Sequence, residues 1–98
     1  METFGEHIKR LRINRDLSIT KVSEQIGIDS SLWGRIERDE RRASRDVISK
    51  IAKFFNENEQ DLLKRFLSDS FAYKIIAENL DVDVLQVAEQ KIKYLKSK

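Results

Sequence analysis

The chain has 98 residues, enough for one domain with a modest core. It lacks cysteine, which excludes disulfides, thiol nucleophiles and thiolate metal sites, and it lacks proline, so little in it breaks a helix. No apolar run approaches the roughly 20 residues that span a bilayer, and the start has no signal-peptide core.

These features lead us to expect a cytoplasmic, all-α protein with no membrane association. Net charge is only +2, but it is unevenly placed. Residues 1–56 carry twelve Lys/Arg and nine Asp/Glu, net +3; residues 57–98 carry seven and eight, net −1. Arg35, Arg38, Arg41, Arg42 and Arg45 fall within eleven residues. A local arginine cluster attracts phosphate even on a nearly neutral chain.

Thr3 with Glu6 has the capping-box pattern. Phe4, Ile8 and Leu11 follow at helical spacing, predicting a first helix over about 4–15. His7, the only histidine, is expected on its exposed side with no special role. Ser18 reads as the cap of a second helix over about 19–26, with Val22 and Ile26 facing inward and Gly27 as the left-handed stop. Asp29 reads as the next cap. Only about three residues separate these two helices, which forces the steep crossing of a helix-turn-helix.

The helix after Asp29 has Leu32, Trp33 and Ile36 on one side, while Ser30, Ser31, Gly34 and Arg35 are expected to face outward. Small polar residues and an arginine opposite a buried side suit a helix lying in the DNA major groove. An ordinary amphipathic helix with a solvated side is the alternative.

Ser44 is expected to cap a fourth helix carrying Val47, Ile48, Ile51, Ala52 and Phe55. A fifth starts near 59 and runs to about 79, or breaks near Ser68–Ser70. Asp83 with Gln86 predicts a capped last helix from about 84; capping is favoured over a cation site for Asp81 and Asp83 because no further oxygen ligands lie nearby. Leu85, Ala88, Ile92 and Leu95 are spaced 3, 4, 3 along that helix, a short heptad seam. With Phe71 and Ile75 they form the expected dimer interface, the alternative being a tail folded back on its own domain.

The set Leu17-Ser18, Val22, Ile26-Gly27-Ile28, Trp33, Arg35-Ile36-Glu37-Arg38 and Lys50-Ile51-Ala52-Lys53 resembles the lambda-repressor-like (XRE-type) helix-turn-helix family over roughly residues 4–67. The tail from about 68 resembles a helical extension on some bacterial members. The resemblance implies a five-helix DNA-binding domain at 1–67 and a C-terminal helical dimerisation extension at 68–98.

By position, the resemblance implies base reading by Ser30, Ser31 and Arg35. It implies backbone contacts from the start of the second helix, around Ile19 and Thr20, and from Arg38, Arg41, Arg42 and Arg45. It also implies a bracing ion pair between Arg12 and Glu37. The chain departs from the family pattern at four places. Ile19 stands for a usual glutamine, Ser23 for an alanine, Asp39 for a turn glycine and Trp33 for a branched aliphatic. Ser23 fits if its hydroxyl bonds back to a carbonyl, and Trp33 is expected in the core.

The function expected is a sequence-specific DNA-binding transcriptional regulator, a repressor by family type, acting as a homodimer on double-stranded DNA with a palindromic operator. An antitoxin-like or other protein-interaction module that also binds DNA is the alternative. With one histidine, no glycine-rich phosphate loop and no carboxylate pair on an apolar background, no enzyme, catalytic residue, metal, cofactor or small-molecule substrate is expected.

Overall fold

Five side chains set where the helices begin. Thr3, Ser18, Asp29, Ser44 and Asn58 each accept a hydrogen bond from an amide of the turn that follows, so donors with no intrahelical partner are satisfied locally. The computed structural model describes residues 1–98. Its helices are α1 (Phe4–Asn14), α2 (Ile19–Ile26), α3 (Ser30–Glu37), α4 (Arg45–Phe55), α5 (Glu59–Ala77) and α6 (Val84–Lys96).

The capping box at Thr3 and Glu6 is present in full. Gly27 ends α2 at φ 87° and Asn56 ends α4 at φ 54°. Helix α5 is unbroken through Ser68–Ser70, so the boundary drawn at residue 67 falls inside one continuous helix.

The start of α6 differs from expectation. Asp83 lies in the right-handed helical region and its side chain caps nothing. The Asp83 amide instead donates to Asp81 Oδ1 at 3.0 Å, and 3₁₀-type bonds from Val84 to Asp81 and from Leu85 to Val82 tighten the entry. The turn that precedes the helix is held by Asp81, two residues before the cap that the capping-box pattern suggests.

Helices α1 to α4 and the first half of α5 enclose one core. Ile8, Val22, Trp33, Ile36, Ile48, Ile51 and Leu62 are its most deeply buried apolar side chains. Each such side chain contributes about 1.5–3 kcal/mol by leaving water. Trp33 is fully buried beside Phe55, as the pattern predicts. Ser23 is also buried, and its hydroxyl donates to the Thr20 carbonyl at 3.0 Å. That bond lets a serine occupy the tight α2–α3 corner.

His7 is corrected by the structure. It is buried rather than exposed, with Nε2 2.8 Å from Glu57 Oε1 and Nδ1 3.1 Å from Arg10 Nη2. It ties α1 to the turn between α4 and α5, and Glu2 closes the cluster by bonding Arg10 at 2.8 and 3.1 Å.

Candidate nucleic-acid interface

Helix α3 is positioned by three attachments. Its apolar side, Trp33 and Ile36, is sunk in the core. Its last turn carries Glu37, which accepts from Arg12 Nε at 2.6 Å and Nη2 at 3.0 Å and from the Trp33 indole. Arg12 also donates to the Leu17 carbonyl at 2.9 Å, so one guanidinium joins α1, the loop before α2, and α3. Nearly buried, the pair holds the Arg12 guanidinium more firmly protonated than usual, first through the hydrogen bond to Glu37. The expected bracing pair is therefore formed in the fold.

The third attachment is a close approach of α1 to the end of α3, with no forewarning in the sequence. A Cβ on Gly5 would sit 2.4 Å from the Glu37 carbonyl and 2.6 Å from that of Ile36. Only a glycine lets the backbones meet. Asp39, in the left-handed region at φ 58°, accepts from the Gly5 amide at 3.0 Å and the Thr3 hydroxyl at 2.6 Å. Where the family pattern has a flexible glycine, this chain has a carboxylate that anchors the exit of α3 to the start of α1.

Ser30, Ser31 and Arg35 are exposed on the side of α3 opposite the core. Arg35 joins no ion pair, so its fork of donors is free. Gly34 is corrected. It is buried rather than outward, because the Arg38 side chain lies over it with Nη1 3.3 Å from where a Cβ would be.

The arginines after α3 differ in their commitments. Arg38 is held through Nε by both oxygens of Glu40 at 3.0 Å. Arg45 lies 3.6 Å from Glu59. Arg42 turns to α5, donating to Ser70 Oγ at 2.8 Å with its guanidinium 4.9 Å from the centre of the Phe66 ring. Arg41 is exposed and joins no ion pair. On α2, Thr20 is exposed, while the Ile19 side chain packs against the core, so position 19 offers only its amide. Ser18 takes up the Lys21 amide.

The second half of α5 and all of α6 form an arm. No residue of α6 is buried. Phe71 of α5 and Leu85, Ala88 and Ile92 of α6 line one shallow apolar groove. Ile75 is half-buried and Leu95 is exposed on α6 outside it. The radius of gyration is 15.6 Å, against about 13 Å for a compact domain of 100 residues, so the arm projects from the body. No helix is long and apolar enough to cross a membrane.

A steep two-helix corner, with the second helix braced inside and polar outside, defines the helix-turn-helix class of DNA-binding domains. The chain belongs to the helix-turn-helix domain family, whose model matches residues 5–66, and within it to the XRE-like type. Among solved structures, the fold is similar to a chain of the SinR protein/SinI protein complex, with a TM-score of 0.59 and 17% identity over 98% of this chain and 100% of that one. A comparison with curated protein sequences finds no match.

Proposed function

We propose that this protein is a transcriptional regulator that binds a palindromic operator as a homodimer, in the cytoplasm of a bacterial cell. One observation carries the reading: Ser30, Ser31 and Arg35 are exposed on the outer side of a helix whose inner side is locked into the core. Serine and arginine hydrogen-bond base edges, and a rigid mount gives them a defined register. In this reading the amides of Ile19 and Thr20 and the side chains of Arg38, Arg41, Arg42 and Arg45 hold phosphates. Arg41 is unengaged, whereas Arg38, Arg42 and Arg45 already use part of their donor set on Glu40, Ser70 and Glu59.

The second copy is argued from the arm. Of the thirteen exposed large apolar residues, eleven lie at Leu67 or beyond. Such a concentration marks an interaction surface. A twofold pair places two recognition helices about 34–36 Å apart, one turn of duplex. The complex named for the similar structure joins two different proteins, so a different protein on this arm is the second reading. In that case the chain is an antitoxin-like or other protein-interaction module that also binds DNA.

Selection of bound duplexes from a random pool tests both readings. A palindrome with half-site centres about ten base pairs apart supports the homodimer. Monomeric protein that enriches only single half-sites points to the second reading. Arg35→Ala is expected to cost about 1–3 kcal/mol and to blur one base position. Log affinity should fall against log salt with a slope of about −0.9 per phosphate held.

A further inference from the structure

Ser30 and Ser31 sit side by side on the reading face, yet their hydroxyls are in different states. The Ser31 hydroxyl donates to Asp29 Oδ1 at 3.0 Å, and the same oxygen accepts the Ser31 amide at 2.8 Å. The Ser30 hydroxyl is exposed and tied to no group of the chain. A serine has one proton and two lone pairs. Ser31 has given its proton to the cap, so what it shows to the outside is an acceptor. Ser30 keeps both options.

Asp29 cannot reverse the arrangement by donating. Its carboxyl is held below the usual range by the bonds from the Ser31 amide and hydroxyl, and Arg35 adds in the same direction. It therefore stays ionised and acts only as an acceptor. In the major groove, adenine N6 and cytosine N4 offer donors, whereas guanine N7 and O6 and thymine O4 offer lone pairs. An acceptor-only serine pairs with the first group and meets the second lone pair to lone pair.

We propose that Asp29 is a positioning residue that fixes Ser31 as a hydrogen-bond acceptor, so that the base Ser31 reads is one carrying an exocyclic amine, adenine or cytosine. This rests on the reading that α3 lies in the major groove.

The test is bound-duplex selection with the full chain, followed by competition with single-base variants of the selected site. Three proteins are compared: wild type, Ser31→Ala and Asp29→Gly. Glycine is tolerated at a helix N-cap, and circular dichroism confirms that the variant is folded. At the base pair that Ser31→Ala relaxes, removing only the exocyclic amine (purine for adenine, or 2-pyrimidinone for cytosine) should weaken wild-type binding by on the order of tenfold for one hydrogen bond. Asp29→Gly frees the Ser31 proton, so it should admit the inverted base pair, with a carbonyl in place of the amine, at that same position and leave the others unchanged, which loss of helix stability alone does not do.

Three results overturn the inference: wild-type affinity unchanged by amine removal at the position that Ser31→Ala relaxes, no position relaxed by Ser31→Ala, or a position unmoved by Asp29→Gly. A wild type that enriches no sequence removes the groove reading, and this inference with it.

Discussion

Helices α4 and α6 are similar in length, at 11 and 13 residues, and each carries a well-marked apolar side. Helix α4 buries Val47, Ile48, Ile51, Ala52 and Phe55, whereas α6 buries nothing. An amphipathic pattern records that a helix needs a partner surface; it does not say where that surface comes from. For α4 the partner is the same chain. For α6 the chain supplies only the edge of a groove around Phe71, which is why we assign the rest to a second copy.

If that division is right, substitutions in the body change stability and substitutions in the arm change assembly. The largest effect is expected from Glu37→Ala, which strands the Arg12 charge and the Trp33 indole in the interior. Removing one partner of a buried pair costs about 3–5 kcal/mol, to be read from the urea midpoint by circular dichroism. Next comes Gly5→Ala, which drives a methyl into two carbonyls of α3 and should cost about 1–3 kcal/mol by the same measurement. A midpoint unchanged by this substitution would show that α1 and α3 are not pressed together as described.

On the arm side, Ile92→Asp should move body stability by no more than about 0.5 kcal/mol, because the site is exposed. The same change should convert the dimer to monomer in sedimentation and weaken operator binding. An arm substitution that lowers the unfolding midpoint as Gly5→Ala does would mean the arm folds back on the body, and the comparison with α4 would fail.

The smallest effect lies at the start of the chain. Glu2 is held down from its ordinary 4.5 to about 2, chiefly by its hydrogen bond to Arg10. A carboxylate with a depressed value stabilises the fold at pH above about 4.5, and that contribution fades as pH falls through about 2. The difference in melting temperature between wild type and Glu2→Gln should shrink across that window.

What was legible in the sequence is mostly local. Thr3, Ser18, Asp29 and Ser44 could be read as caps because each bonds an amide two or three residues away, and the apolar stripes of α1 to α4 repeat at helical spacing. The exception, Asp83, failed because a tight 3₁₀ entry competes with the capping box over the same few residues. His7 was misread because Glu57 lies fifty residues on, and nothing near His7 announces it. The place of Gly34 was misread because the Arg38 side chain folds back over it. Arg42 carries no sign of Ser70, its partner on α5.

By itself, the sequence determined an all-helical chain, the approximate limits of its first two helices and the starts of the next two, the helix-turn-helix corner and the outward side of Ser30, Ser31 and Arg35. Those depend on spacing and on bonds that close within one helical turn. Tertiary structure decided that glycine is needed at position 5, which arginines are already engaged, and that α6 is left uncovered. These depend on which surfaces meet across many residues, where burial and backbone approach are set by neighbours that local spacing does not encode.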